Sequence, residues 1–177
     1  MTAGAKIRMA TVWLDGCSGC HMSLLDTDER LIALAQQVDI VWGPLVDAKE
    51  FPEGVDVTLV EGAVSSEDDL ERIRLVRART KTLISLGDCA VTGNVPALRN
   101  KFGAEAVLRR AYLENHTIDA RVPREIIPPL LPRVRPIHEL VPVDVFVPGC
   151  PPSADLIFSV LIDLLQGRAS NPAAKFG

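Results

Sequence analysis

Apolar runs rich in β-branched residues recur along the chain and alternate with segments of helical periodicity. Each run has the length and composition of a buried strand. The runs cover residues 6–14, 38–42, 55–62, 81–87 and 143–147. Because strands that alternate with helices are joined in parallel by crossover connections, the pattern predicts a doubly wound, mostly parallel α/β sheet with helices on both faces. We expect a flavodoxin-like strand arrangement.

Helix signals fill the segments between these runs. Leucines and isoleucines at helical spacing predict one helix over residues 20–37. Ser65 and Ser66 stand before three consecutive acids, which is capping-box chemistry, so a helix is expected to begin near Glu67. Further helices are predicted over residues 94–102, 104–114 and 152–167.

Residues 121–143 are dense in proline, which excludes long helices there because proline lacks a backbone N–H. The prolines are Pro123, Pro128, Pro129, Pro132, Pro136 and Pro142. We interpret this segment as an extended, wrapping loop before the last strand. A chain of 177 residues is long enough for one hydrophobic core and short for two. Residues 1–177 are therefore predicted to form a single domain, with a loosely ordered tail over about 168–177.

Charge and hydropathy narrow the classes of partner. The net charge of −4 arises from interspersed acids and bases, without a basic stripe to neutralise phosphates, so nucleic acid is not expected as a ligand. Hydrophobic residues make up 47% of the chain and aromatic residues 5%, which indicates surface buried against a partner protein. The sequence shows neither a secretion signal nor the roughly 20 apolar residues of a membrane span, so we expect a cytoplasmic protein without membrane contact.

All four cysteines fall just after predicted strands. Cys17 and Cys20 follow the first strand, Cys89 follows the fourth and Cys150 follows the last. Because parallel strands end at the same edge of a sheet, where ligands usually bind in open α/β folds, the four thiols are predicted to converge. Each has a glycine nearby, so backbone can approach a bound group closely. In a reducing cytoplasm such cysteines indicate metal binding or redox chemistry rather than disulfides.

The Cys-x-x-Cys pair alone is compatible with several chemistries. Thioredoxin-like dithiols and zinc sites begin the same way, and a bound zinc would make the chain a scaffold module. Four-cysteine zinc sites usually combine two such pairs, whereas this sequence combines one pair with two distant single cysteines. The spacing favours one 4Fe-4S cluster on Cys17, Cys20, Cys89 and Cys150. Zinc and simple structural cysteines stay open as alternatives at this point.

A few other residues are candidates for contacts around a cluster. Glu61 ends the third strand at the same edge, where it would bond near the cluster, take part in proton movement or be an ordinary solvated carboxylate. Gly19 eases the turn between the paired cysteines. Asp88 either acts on the cluster potential through its charge or caps the following turn. His21 would hydrogen bond to the cluster or to a partner subunit, or be a surface imidazole, which is the interpretation that we expect. The sequence contains no catalytic triad, phosphate loop or dinucleotide fingerprint, so no catalytic residue is predicted.

The cysteines lie in three runs of sequence, WLDGCSGCHMSLLD, LGDCAVTGNVPALRN and VDVFVPGCPPSAD. Together these runs resemble the proximal-cluster signature of nickel-iron hydrogenase small subunits, above all those of cytoplasmic, bidirectional NAD-reducing hydrogenases. The resemblance implies that the four cysteines bind one 4Fe-4S cluster beside a nickel-iron site on a separate large subunit. It also implies that electrons pass from hydrogen through this cluster to flavin- and NAD-binding diaphorase subunits with further iron-sulfur clusters, so that hydrogen reduces NAD to NADH reversibly.

The sequence differs from three related families, and each difference favours this expectation. The quinone-reductase subunit of respiratory complex I shares the PGCPP end, but that family has adjacent cysteines where this chain separates Cys17 and Cys20 by two residues. Periplasmic hydrogenase small subunits add a C-terminal domain with two more clusters, which this sequence lacks, so another subunit is expected to receive the electrons. The likeness to flavodoxins raises FMN as a second cofactor, yet Cys17 and Cys20 occupy the loop that would hold its phosphate.

Overall fold

The computed structural model describes residues 6–116, 118–168 and 170. Its strands are β1 (Ile7–Trp13), β2 (Val38–Trp42), β3 (Val55–Glu61), β4 (Val64–Ser66), β5 (Thr80–Leu86), β6 (Leu130–Arg135) and β7 (Val145–Val147). Its α-helices are α1 (Gly19–Leu25), α2 (Arg30–Ala35), α3 (Glu67–Arg79), α4 (Asp88–Thr92), α5 (Ala104–Arg109) and α6 (Ala154–Leu165). The shorter helical segments are 3-10 helices at Pro96–Lys101 and Ile137–Glu139 and a π-helical turn at Arg110–Glu114.

Five strands form one parallel sheet in the order β2-β1-β3-β5-β7. Counted among themselves along the chain, they follow the order 2-1-3-4-5 of flavodoxin-like folds, so the predicted doubly wound sheet is confirmed. The register aligns the ends of four strands, because Trp13 pairs with Glu61, Glu61 with Leu86, and Leu86 with Val147. The chain therefore leaves these strands at one level, and a cysteine follows β1, β5 and β7 within a few residues.

Side chains of the strands alternate between two cores on opposite faces of the sheet. In β1, Met9 belongs to one core and Ala10 to the other. Helices α1, α2 and α6 cover the first core, and α3 covers the second. Their buried contacts include Leu24, Leu34 and Ile157 in the first core and Ile73 and Val76 in the second. Burial on both faces explains why the strands are continuous apolar runs.

The single helix predicted over residues 20–37 is wrong, because the chain forms two helices there. α1 ends at Leu25 and α2 begins at Arg30. Between them Thr27 donates its hydroxyl to the Leu24 carbonyl at 2.8 Å, and Asp28 adopts a φ of 50°. Side chains of this type compete for backbone groups, and a left-handed residue cannot continue a right-handed helix.

The helix predicted near Glu67 is confirmed with its capping box. Ser66 Oγ accepts from the Asp69 N–H at 3.1 Å, and Asp69 Oδ2 accepts from the Ser66 N–H at 2.9 Å. The predicted 94–102 helix is the shorter 3-10 helix, and the 104–114 helix is α5 continued by the π-helical turn. The last helix, α6, follows the N-cap Ser153. Helix α4 was not predicted, since five residues carry too little periodicity.

The proline-rich segment 121–143 contains a strand that contradicts its interpretation as a loop alone. β6 pairs antiparallel with β4, and Val64 lies opposite Arg135. Pro132 is tolerated because β6 has one neighbour among the described strands, so only one side of β6 forms a ladder of hydrogen bonds. The pairing joins segments far apart in sequence, which local patterns do not reveal.

Most of the predicted loose tail at 168–177 lies outside the described residues. Among the residues that are described, no helix combines the length and apolar character that crossing a membrane demands.

Candidate metal centre

Separate loops bring the four cysteines to the carboxyl edge of the sheet. Cys17 lies between β1 and α1, Cys20 in the first turn of α1, Cys89 in α4 and Cys150 in the loop after β7. All four are free thiols. Cys20 is buried and Cys89 half-buried, whereas Cys17 and Cys150 are exposed. The set therefore has a side facing the protein and a side open to a partner.

The thiols lie within electrostatic range of one another. Burial raises the pKa of the Cys20 thiol, and the Glu61 carboxylate and the other three cysteines raise it further. Burial also raises the pKa of Cys89, with Cys150 and Cys17 adding to the effect. The geometry agrees with this, because the loops that carry the four residues leave aligned strand ends and are tied together by Asp88 and Ser23. Binding of a metal group would supply the opposing charge that releases these protons.

The site does not have the geometry of a single-ion site. Within residues 6–116, 118–168 and 170, no group of three or more His, Cys, Asp or Glu side chains is arranged to hold a metal ion. A tetrahedral zinc ion needs four thiolates at about 2.3 Å from one point. A polynuclear cluster has no such requirement, because its own iron and sulfide atoms lie between the thiolates.

Glycines let the backbone reach the sulfurs. Gly87, between β5 and α4, has a φ of 82°, and a Cβ on it would lie 2.2 Å from Cys20 Sγ. The backbone at this position therefore packs directly on the buried thiol, and only glycine fits. Gly19 donates its N–H to Cys17 Sγ at 3.4 Å, and a Cβ there would lie 3.2 Å from the same sulfur. Gly19 thus contacts a predicted ligand directly.

Asp88 ties two cysteine loops together. Its N–H donates to the Gly149 carbonyl at 2.9 Å, and its buried Oδ1 accepts from the Gly149 N–H at 2.7 Å. The carboxylate does not cap the first turn of α4, whose N-cap, Gly87, receives no side-chain hydrogen bond. Ser23 in α1 adds a second tie to the loop after β7 by donating to the Pro152 carbonyl at 2.5 Å.

Glu61 and His21 form a buried pair that sequence reasoning missed. Glu61 is 1% exposed, which excludes the solvated carboxylate considered above. Its Oε2 accepts from the His21 N–H at 2.9 Å and lies 2.5 Å from His21 Nδ1. The expectation that His21 is a surface imidazole is wrong, because its side chain is 15% exposed and its Nε2 is buried without a hydrogen-bond partner. The pair fixes the start of α1 against the end of β3.

Two more contacts come from the turn after α4. Asn94 Nδ2 donates to Cys150 Sγ at 3.6 Å. The backbone N–H of Val95 lowers the pKa of the Cys89 thiol, against the larger effect of burial, which raises it. The Gly-Asn step directly after the Cys89 helix is a turn signal, and it was the only sequence cue to these contacts.

A family model described as "NADH ubiquinone oxidoreductase, 20 Kd subunit" matches residues 17–164, which include all four cysteines. The chain belongs to this family. Within it, 168 aligned residues are 45% identical to the NAD-reducing hydrogenase HoxS subunit delta of Cupriavidus necator, covering 92% of this chain and 80% of that one. A subunit of the F420-non-reducing hydrogenase of Methanocaldococcus jannaschii is 40% identical over 164 residues. The alignment with that archaeal member covers 92% of this chain and 57% of the relative, so this chain spans little more than half its length.

A crystal structure of NAD+-reducing NiFe-hydrogenase in the H2-reduced state contains a member of the same fold. Its chain superimposes with a TM-score of 0.92 at 41% identity, covering 98% of this chain and 100% of the other. The predicted resemblance to nickel-iron hydrogenase small subunits and the α/β fold are both confirmed. These relatives are subunits of oxidoreductases, and this chain is a small subunit of their kind.

Proposed function

We propose that this chain carries electrons for a nickel-iron hydrogenase and that Cys17, Cys20, Cys89 and Cys150 bind one 4Fe-4S cluster. The observation that carries the proposal is the position of four cysteines on three loops that leave aligned strand ends at one edge of the sheet. The chain that carries these cysteines is 45% identical to a subunit of an NAD-reducing hydrogenase. Residues 1–177 would form the single domain around this cluster.

The residues present fit a cluster of this kind. Cysteine thiolates are its ligands, and hydrogen bonds to their sulfurs stabilise the negative charge. Such donors face two of the four sulfurs, Cys17 Sγ from the Gly19 N–H and Cys150 Sγ from the Asn94 amide. The zinc-scaffold alternative is disfavoured, because four-cysteine zinc sites usually combine two Cys-x-x-Cys pairs, whereas this chain has one pair and two distant single cysteines. A quinone-reductase role of the complex I type is disfavoured by the two residues that separate the first pair of cysteines.

When bound, the cluster would supply reversible one-electron storage. The chain's own residues hold and orient it, with Cys20 on the buried side and Cys17 and Cys150 on the open side. Glu61 and Asp88 fix the loops that carry the ligands by accepting backbone N–H groups. None of these residues needs to contact hydrogen or NAD, so we assign no catalytic residue to this chain. We also assign it no FMN, because the first-strand loop carries cysteines.

A large subunit would cover the open side of the site. Exposed apolar side chains stand close in sequence to the cysteines and their donors, with Trp13 48%, Met22 57% and Val95 61% exposed. Exposed apolar groups around a functional edge are typical of a protein interface. The large subunit would carry the nickel-iron site, and diaphorase subunits with flavin and further clusters would pass electrons to NAD in the cytoplasm. The reaction is reversible reduction of NAD by hydrogen.

Purification of the full chain with everything that copurifies tests this proposal. We expect brown absorption, iron and acid-labile sulfide in the complex, and NADH formation under hydrogen. A colourless preparation that contains zinc would overturn the cluster assignment. A brown complex that contains a large subunit but does not reduce NAD with hydrogen would overturn the electron route while leaving the cluster in place.

A further inference from the structure

The turn between α4 and the 3-10 helix Pro96–Lys101 has two consecutive left-handed residues. Gly93 has a φ of 87° and Asn94 a φ of 30°. Residues other than glycine rarely adopt this conformation, and asparagine is among the few that tolerate it. Backbone hydrogen bonds hold the turn from both sides, from the Gly93 N–H to the Cys89 carbonyl at 3.0 Å and from the Ala97 N–H to the Asn94 carbonyl at 3.1 Å. These bonds fix the backbone of Asn94 and with it the direction of its Cα–Cβ bond.

This direction brings the Asn94 amide to the cluster site. Asn94 Nδ2 lies 3.6 Å from Cys150 Sγ, within reach of an N–H···S hydrogen bond. A thiolate only accepts hydrogen bonds, so the NH2 group and not the oxygen must face it. The hydrogen bond from Gly19 to Cys17 Sγ, by contrast, comes from a backbone N–H. Among the described residues, Asn94 is the side chain that donates to a cysteine sulfur.

We propose that Asn94 sets the reduction potential of the 4Fe-4S cluster by donating a hydrogen bond from its side-chain amide to the Cys150 sulfur. The inference rests on the proposed function, because it requires the cluster. Reduction adds one negative charge, which spreads over the iron-bound sulfurs. A donor to such a sulfur stabilises the reduced form more than the oxidised form and raises the potential. Asn94 is a positioning and tuning residue and supplies no ligand.

Two substitutions distinguish the effect of the Asn94 amide from the effect of the turn conformation. Asn94→Gly keeps the left-handed backbone and removes only the donor. Asn94→Asp keeps the size of the side chain and its tolerance of the turn, but places a carboxylate against the sulfur. The matched control is Gln37→Glu, which makes the same exchange of amide for carboxylate at an exposed turn residue just before β2, at the amino end of the sheet.

The measurement is a redox titration of the reduced-cluster EPR signal in the full chain purified with its large subunit, without diaphorase clusters. At a fixed applied potential, Asn94→Gly should lower the ratio of reduced to oxidised cluster about threefold, the size expected from losing part of one hydrogen bond. Asn94→Asp should lower it further, and Gln37→Glu should leave it unchanged. Equal potentials in all four proteins would overturn the inference, as would an equal shift in the control.

A second measurement uses the unsubstituted protein, so the inference can be tested even if the variants fail to bind the cluster. Side-chain 15N labelling of asparagine should give a hyperfine coupling to the reduced cluster, and Asn94→Asp should remove it where that variant assembles. An unsubstituted cluster without any 15N coupling would overturn the inference. A chain that binds no iron or sulfide at all would instead overturn the proposed function, and a normal cluster with unchanged potential would overturn only the role of Asn94.

Discussion

The two ends of the central sheet are held by different kinds of contact. At the amino end, ion pairs between at least partly exposed side chains join the segments around the strand starts, namely Lys6 with Asp39, Lys81 with Asp56 and Arg79 with Glu53. At the carboxyl end, the buried carboxylates of Glu61 and Asp88 accept backbone N–H groups of the loops beyond the strands. Exposed pairs contribute little to stability, whereas a buried carboxylate that loses its donors is costly.

This difference follows from what each end has to hold. The amino end only has to close the sheet, and there the Arg8 N–H and exposed lysine and arginine side chains bind carboxylates that stay open to solvent. Under the proposed function, the carboxyl end has to keep four thiols from three loops at fixed positions before and after an electron arrives. Backbone hydrogen bonds to buried acceptors provide that rigidity, and Gly87 adds a contact that no other residue permits. A change at the carboxyl end should therefore disturb both stability and the cluster, and a matched change at the amino end neither.

The largest effect is expected from Cys89→Ser, which removes one proposed ligand. We expect hydrogen-driven NAD reduction to fall by more than about 100-fold, since even changes around metal ligands cost 10–100-fold. NADH oxidation by an artificial acceptor should persist, because it needs only the flavin module. Both assays are made on a complex first shown to be assembled, since loss of a cluster also loosens a fold. Full hydrogen-to-NAD turnover without the cluster would contradict the electron-transfer proposal.

The next largest effect is expected from Gly87→Ala at the carboxyl end. The new Cβ meets Cys20 Sγ at 2.2 Å on a φ of 82°, so overpacking of about 1–3 kcal/mol adds to a backbone cost of about 1–2 kcal/mol. The matched control is Gly54→Ala at the amino end, where φ is 66° and the nearest atom, at 3.3 Å, is the mobile end of Arg8. The free energy of unfolding of Gly54→Ala should therefore fall only by the backbone cost of about 1–2 kcal/mol.

Denaturant unfolding and iron content measure both glycine variants. Gly87→Ala should lower the free energy of unfolding and the iron bound per chain, and Gly54→Ala should leave iron content unchanged. If the two variants lose equal stability and both keep their iron, close packing of backbone on the thiol has no part in holding the site.

The sequence was sufficient to predict where the cysteines leave the sheet, but not the tertiary contacts that hold their loops in place. Apolar runs and the parallel topology they imply predicted that Cys17, Cys89 and Cys150 leave the sheet at one edge, since register follows from buried strands. The capping box before α3 was equally visible, because its two residues are three apart. The strand pattern can be recognised from periodicity and the capping box from residues close in sequence, so both can be predicted from a single sequence.

The contacts that were missed depend on distant pairs. His21 and Glu61 are 40 residues apart, and neither residue type indicates the other as a partner. β4 and β6 are short, and Pro132 made β6 resemble a loop. Asn94 stood at the start of the helix predicted over residues 94–102, and its contact with Cys150 exists only because two loops meet in space. Tertiary contacts of this kind override local propensity and leave little trace in one sequence.

A smaller effect is expected from Glu61→Gln. The amide keeps one acceptor but loses the charge that serves both His21 donors, so we expect a loss of about 1–3 kcal/mol in the free energy of unfolding. Glu53→Gln is the control at the amino end, where the partner is Arg79 and the carboxylate is 76% exposed; it should change stability by less than about 0.5 kcal/mol. Thermal unfolding of both variants compares them. Equal losses would show that burial of the Glu61 pair does not distinguish the two ends.

The smallest effect is expected at the amino end, from Asp56→Asn. A hydrogen bond from Lys81, followed by one from the Arg8 N–H, lowers the pKa of the Asp56 carboxyl below its usual range. A carboxyl whose pKa is lower in the folded state stabilises the fold above its unfolded pKa of about 3.9, and this contribution is lost as pH falls through the folded value. Because Asp56 is partly exposed and screened, we expect about 0.5 kcal/mol at neutral pH.

The measurement is the difference in unfolding free energy between Asp56→Asn and the unsubstituted chain at several pH values. Taking the difference removes the acid sensitivity of a bound cluster, which both proteins share. The difference should be constant from pH 7 to about pH 5 and shrink as the pH falls below about 4. A difference that grew on acidification would reverse the sign of the linkage. A difference of several kcal/mol at neutral pH would place a tightly held charge at the amino end and remove the contrast between the two ends of the sheet.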